Sequence, residues 1–186
     1  MNAVFCHGVL PPDCDWNQKT YNPIKKWKDW LQFVLEDEHD IIMQIPRFPH
    51  AHIFLMKYDE WAAIMDCQTI NSDTILIGHS AGAGFILKYI ALHPDLKVKQ
   101  IVLVAPWMDT GHVTKYDFYA GFDMLNIDKQ TINGIDLLIS DNDSDEMGKS
   151  RDKIIADIPS VRTHMCSGYG HFVLNELPEI LPIIKF

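Results

Sequence analysis

Six short apolar runs recur along the chain, most of them separated by longer stretches with helical spacing. The runs cover residues 3–6, 41–44, 74–78, 100–105, 136–140 and 161–165. Several, such as Ile101-Val102-Leu103-Val104, show no polar alternation. A strand covered on both faces reads that way, whereas a half-exposed strand alternates. The pattern predicts an α/β architecture, with a parallel sheet between two helical layers. Right-handed crossovers then give an open, doubly wound sheet, and such sheets bind ligands beyond the carboxyl ends of their strands.

The intervening segments carry helix signals. Asn22-Pro23 reads as an N-cap followed by a proline at the first helical position, and Ile24, Trp27, Leu31 and Val34 then share one face. A second helix is expected over residues 58–69, with Trp61, Ala62 and Met65 inward. A third runs over 81–92 and is stopped by His93-Pro94. A fourth covers 147–158. The tail, 177–186, holds Pro178 and Pro182 and predicts a short or broken helix.

The chain has 186 residues, enough for one domain over 1–186 with a sizeable core. Its 16 Lys and Arg against 25 Asp and Glu give a net charge of −9, which disfavours a phosphate backbone as partner and predicts no nucleic-acid binding. The densest basic stretch, Lys25-Lys26-Trp27-Lys28, falls within a helical pattern and reads as a solvated face. No apolar run approaches the ~20 residues of a membrane span, so no membrane partner is expected. The first residues lack the basic and apolar regions of a signal peptide. A cytoplasmic location follows as an expectation, with Cys6, Cys14, Cys67 and Cys166 as reduced thiols; a Cys6–Cys14 disulfide is the alternative.

After the third strand comes Gly78-His79-Ser80-Ala81-Gly82, a G-x-S-x-G pattern between a strand and a helix. Such a turn holds its serine in a strained conformation that lifts the hydroxyl above the sheet, at a helix N-terminus that favours a developing anion. A serine hydroxyl needs a base to become a nucleophile. Of nine histidines, His171 lies in Ser167-Gly168-Tyr169-Gly170-His171-Phe172, a glycine-rich loop just after the last strand. His164 falls within that strand and is expected to point into a helical layer. His79 reads as a packing or supporting residue and His93 as a helix stop, while His50 and His52 form an isolated H-x-H with no third metal ligand in view.

The imidazole needs a carboxylate to orient it. The fifth strand runs into Asp141-Asn142-Asp143-Ser144-Asp145. Asp145 reads as the N-cap of the following helix, which leaves Asp141 or Asp143 for the histidine. The order serine, acid, histidine is that of α/β-hydrolases. Two N–H donors are needed for an oxyanion. Ala81 supplies one, and Val9, in the His7-Gly8-Val9-Leu10 loop after the first strand, is the expected second.

Taken together, these motifs resemble the small α/β-hydrolase family of YdeN-like and retinoblastoma-binding-protein-nine-like serine hydrolases. The resemblance rests on His7-Gly8, the tryptophan-bearing first helix, Ile45-Pro46 to Trp61, the Ser80 elbow, residues 101–105, Ser140-x-x-Asp143 and Gly170-His171-Phe172. It implies a six-stranded, mostly parallel sheet of order 2-1-3-4-5-6 with a minimal lid. It also implies a serine hydrolase acting on small ester, thioester or amide substrates without cofactor or metal. The family's Ser-x-Asn-Asp-Pro pattern maps its acid to Asp143. Ser144 stands where that pattern has proline, which keeps Asp141 as an alternative. Val9-Leu10-Pro11-Pro12 stands where a glycine-rich stretch usually follows His-Gly.

The expected catalytic set is therefore Ser80, Asp143 and His171, with Val9 and Ala81 at the oxyanion. Leu10, Trp107 and Phe172 are the expected substrate contacts. Trp107 opens the 106–135 segment, the only room for a lid, whose aromatic residues either line a pocket or cover the sheet. The rival readings are a protein-binding module on a hydrolase scaffold, and acyl transfer to an acceptor other than water.

Overall fold

The computed structural model describes residues 1–9 and 26–186. Six strands form one sheet: β1 (Asn2–Cys6), β2 (Ile42–Gln44), β3 (Thr74–His79), β4 (Gln100–Val104), β5 (Ile135–Ser140) and β6 (Arg162–Cys166). Their order is β2-β1-β3-β4-β5-β6, and every pairing is parallel. The order and class expected from the sequence are those found.

Alternation along each strand sorts the core into two layers. Val4, Cys6, Leu76, Ile101, Leu103, Leu137 and Ile139 face one layer, and Ala3, Phe5, Ile75, Ile77, Val102, Val104 and Leu138 face the other. Three helices cover the first face: α2 (Tyr58–Asp66) through Trp61 and Met65, α3 (Ala81–Leu92) through Phe85 and Ile86, and α4 (Asp145–Asp157) through Ile154. The second is covered by α1 (Trp27–His39), through Trp27, Leu31 and Leu35, and by the C-terminal segment. Trp61 anchors the first layer, with its ring stacked on Phe48 and its indole N–H donating to the Pro49 carbonyl at 2.8 Å.

Boundaries depart from the sequence reading in physically clear ways. The Asn22-Pro23 start of α1, like Ile24, lies outside the described residues. The described helix begins at Trp27, and the Lys26 amide donates to the Asp29 carboxylate at 3.1 Å. α2 stops at Asp66, three residues early, because the Cys67 amide turns back to Ile64 in a tighter i−3 bond. β4 ends before Ala105, whose φ of 43° leaves the extended region. β6 starts one residue late because the Val161 amide closes a turn onto Ile158. Ser144, not Asp145, is the N-cap of α4; Asp145 opens the helix, where its charge favours the positive dipole end. The tail holds one short 3₁₀ turn, Pro178–Ile180, and buries Ile180, Ile183 and Ile184.

The segment between β4 and β5 forms no cap helix; its one regular element is a 3₁₀ turn, Ile127–Gln130. Trp107, Met108 and Phe118 are buried, so much of its apolar content covers the sheet. Lys88 in α3 pins it: the ammonium donates to the carbonyls of Phe118 at 2.9 Å and Ala120 at 2.6 Å, beneath the Tyr58 ring.

Among the described residues, no helix is long and apolar enough to cross a membrane, and no group of three or more His, Cys, Asp or Glu is arranged to hold a metal. His50 of the H-x-H pair meets Glu60 instead. Cys6, Cys67 and Cys166 are free thiols, and Cys14 lies outside the described residues. His164 lies on the face covered by the C-terminal segment. It meets buried Asp136 there at 2.8 Å, beside Arg162, rather than an apolar helix.

Candidate active site

The carboxyl ends of β1, β3, β5 and β6 converge on Ser80. The serine follows β3 with φ 56° and ψ −122°, a backbone region that side chains with a Cβ rarely adopt. Four backbone bonds hold it there: the Ser80 amide donates to Val104, and its carbonyl accepts from Ala83, Gly84 and Trp107. The elbow is this tight because two backbones touch behind it. A Cβ on Gly82 would lie 2.1 Å from the Cys6 carbonyl oxygen, so only glycine lets α3 approach β1.

The Ser80 Oγ lies 2.9 Å from His171 Nε2, and His171 Nδ1 lies 2.9 Å from Asp143 Oδ2. A carboxylate only accepts, so Nδ1 carries the imidazole proton and Nε2 accepts from the serine hydroxyl. The Asp143 carboxylate is shielded and the His171 ring partly open, with 10% and 33% of their side chains exposed. This arrangement can pass a proton from Ser80 to His171 and hold the resulting imidazolium against a carboxylate. Asp141 does not reach the imidazole; its oxygens accept from the Ser167 hydroxyl and the Gly168 amide. Those bonds hold its carboxyl below the usual carboxylate range.

Two further histidines support the site, and both are neutral. His79 Nε2–H donates to the His171 carbonyl at 3.0 Å, with its ring edge-on to Trp27. Burial, and then the nearby His171, push it down to about 3. At His7 the Phe48 amide donates to Nε2 at 3.2 Å, so Nδ1–H donates to the Gly8 carbonyl at 2.8 Å. Burial holds His7 at about 4. In a trans peptide the carbonyl and the next N–H point in opposite directions. Fixing Gly8 O therefore fixes the Val9 N–H. Gly8 itself is pressed against the serine: a Cβ there would lie 2.8 Å from Ser80 Cβ.

The other expected site residues sort as follows. Ala81 opens α3, where first-turn amides have no partner within the helix. Val9 is half-buried, and Leu10 lies outside the described residues. Trp107 is buried against Tyr119, and its amide braces the Ser80 carbonyl. Phe172, expected against substrate, is 1% exposed and packs into the second core layer beside Tyr169, because its φ of 54° turns the ring inward. The supporting bonds of His7 and His79 were not legible from sequence; their places next to Gly8 and Ser80 were the available signal. A cavity of about 390 Å³ opens beside Asp143, lined among others by Ala105, Pro106, Ile139 and Met147.

A parallel sheet of this order, with a serine elbow after β3 and an acid and a histidine after β5 and β6, defines an α/β-hydrolase. The sequence matches the serine hydrolase family over residues 22–183, and the chain belongs to that family of enzymes. Its fold is similar to the ydeN gene product of Bacillus subtilis, at a TM-score of 0.70 and 17% identity over 98% of this chain and 95% of that one. It is also similar to Est1E from Butyrivibrio proteoclasticus with ferulic acid bound (TM-score 0.59, 11% identity, 92% and 81% covered). A third likeness is to the carboxylesterase CesB of Bacillus subtilis (TM-score 0.53, 12% identity, 97% and 80% covered). No curated protein matches the chain in sequence.

Proposed function

We propose that the protein hydrolyses small esters, thioesters or amides through a covalent acyl-enzyme on Ser80. One observation carries this reading: the unbroken chain from Ser80 Oγ through His171 to Asp143, with both links at 2.9 Å. His171 takes the hydroxyl proton as Ser80 attacks the carbonyl. The C–O, C–S or C–N bond then breaks, and His171 returns the proton to the leaving group. A water molecule, deprotonated by the same imidazole, releases the acid and restores the serine. Asp143 holds the ring in the required tautomer and faces the imidazolium that forms.

The Ala81 and Val9 N–H groups stabilise the oxyanion, and His7 aims the Val9 amide through Gly8 O. Compact substrates fit best. No cap helix closes over Ser80 among the described residues. The name of one of the similar proteins above, the carboxylesterase CesB, agrees with ester chemistry.

The test is Ser80→Ala, assayed with p-nitrophenyl acetate and a fluorophosphonate probe. Loss of both turnover and labelling is expected. A variant that still turns over ester at the wild-type rate places the chemistry elsewhere.

A further inference from the structure

The loop that carries His171 is held in an unusual way. β5 and β6 run as a parallel ladder that ends at Ser140 opposite Cys166, with one more backbone bond from the Asp141 amide to Cys166. Beyond that point the two backbones separate, and three consecutive side chains replace the missing carbonyls. Asp141 Oδ1 accepts the Gly168 amide at 2.8 Å, Ser140 Oγ accepts the Tyr169 amide at 3.0 Å, and Asn142 Oδ1 accepts the Gly170 amide at 2.7 Å. Asp141 Oδ2 also takes the Ser167 hydroxyl at 2.6 Å. The Ser140 hydroxyl in turn donates to Asn142 Oδ1 at 2.7 Å, which ties two of the acceptors together. The fourth residue of this run, Asp143, meets the His171 ring itself.

We propose that Asp141 and Asn142 are positioning residues that clamp the 167–170 backbone in the register placing His171 between Asp143 and Ser80. Three amides in a row are each matched to one acceptor, so a slip of one residue would break all of them together. The loop needs such a clamp. Its glycines at 168 and 170 and Phe172 all have positive φ, so its own backbone forms no regular structure to fix the path. On the other side the loop is held through the His171 carbonyl by His79. Both Asp141 and Asn142 are exposed, and exposed side chains seldom carry much of a fold's stability. Their bonds go to the loop that aims the base.

The inference rests on the catalytic reading above, so its test runs beside Ser80→Ala. Asn142→Ala removes the acceptor for Gly170. A misplaced base loses about 100-fold in rate, so kcat is expected to fall by about that much while KM stays within about twofold. Asn142→Asp restores the acceptor oxygen and is expected to recover most of the rate. Hydrogen exchange reads the clamp without turnover: the Gly170 amide is protected in the native protein, and its exchange accelerates by at least about tenfold in Asn142→Ala. Ser167→Ala, which removes one exposed hydroxyl and leaves the fold intact, is a gentler second probe with a smaller fall in kcat.

A kcat within about twofold of wild type in both alanine variants, with Ser80→Ala inactive, overturns the clamp and leaves the triad standing. Unchanged Gly170 exchange in Asn142→Ala overturns it whatever the activity. Persistent turnover by Ser80→Ala defeats the catalytic reading instead, and the exchange result then decides the clamp alone.

Discussion

Acid should weaken this fold well before its carboxylates titrate, and two rings beside the active site are the reason. His7 is held at about 4 and His79 at about 3, in each case chiefly by burial. The Phe48 amide already occupies His7 Nε2, so protonating that nitrogen would set one donor against another. In the unfolded chain both rings titrate near 6.5. Below that pH the unfolded chain binds protons that the native state refuses. Stability is therefore full above about pH 7 and falls as pH drops through 6.5, at about 1.4 kcal/mol per pH unit per ring. The fall for each ring ends only at its folded value. At pH 5 each ring has removed about 2 kcal/mol and the pair about 4 kcal/mol, from a total that is typically 5–15 kcal/mol. Both rings keep some solvent contact, so these are upper values. The assay is urea unfolding followed by tryptophan fluorescence at pH 7 and pH 5, on the wild type and on His79→Gln. Glutamine keeps a donor near the position of Nε2 but does not titrate. The stability lost between the two pH values should shrink by about 2 kcal/mol in the variant, or about 4–8 °C in Tm. All other titrating groups cancel in that difference. A change under about 0.5 kcal/mol would refute the assignment of His79 as a ring kept neutral by the fold.

Two further substitutions test neighbouring features. Gly8→Ala puts a methyl 2.8 Å from Ser80 Cβ and 3.3 Å from its Oγ, so fluorophosphonate labelling should slow by about 100-fold while the protein still folds; labelling at the wild-type rate would mean that the β1 loop does not press on the serine. Lys88→Met leaves the Phe118 and Ala120 carbonyls without their donor and should lower stability by about 1–3 kcal/mol, read as a drop of several degrees in Tm, and a melt within a degree of wild type would show that the Lys88 bonds add nothing to the hold on the 106–134 segment.

The sheet was legible because its strands are covered on both faces. Runs such as Ile101-Val102-Leu103-Val104 have few alternatives in a chain of this length, and α3 is bounded by the Ser80 elbow and Pro94. The edges were less legible. β6 is a half-exposed edge strand whose residues Arg162 and Thr163 carry little apolar signal, and its start was fixed by a turn bond from Val161 that leaves no mark in composition. Phe172 was misread for a related reason. Adjacency to His171 places it near the site, but a left-handed backbone at the residue itself turns the ring into the core. Periodicity carries no information at such a residue, because the loop has no period.

The choice between Asp141 and Asp143 was of the same kind, and the contact of Asp143 rather than Asp141 with the His171 ring follows from how a parallel ladder ends. The two acids lie past the end of β5, in a turn, where strand alternation no longer sorts side chains. Their height above the sheet separates them. Opposite Asp141 lies the Cys166–Gly168 stretch, still low in the loop, and its free amide and hydroxyl take up both carboxylate oxygens. Asn142 takes the Gly170 amide, and only then has the chain climbed to the level of the His171 ring. Asp143 is the first acid at that level. The two residues between the strand end and Asp143 hold the loop that brings the histidine to Ser80. The acid nearest the strand is bound to Ser167 and Gly168 of the loop, and the acid farther out is left to meet the His171 ring.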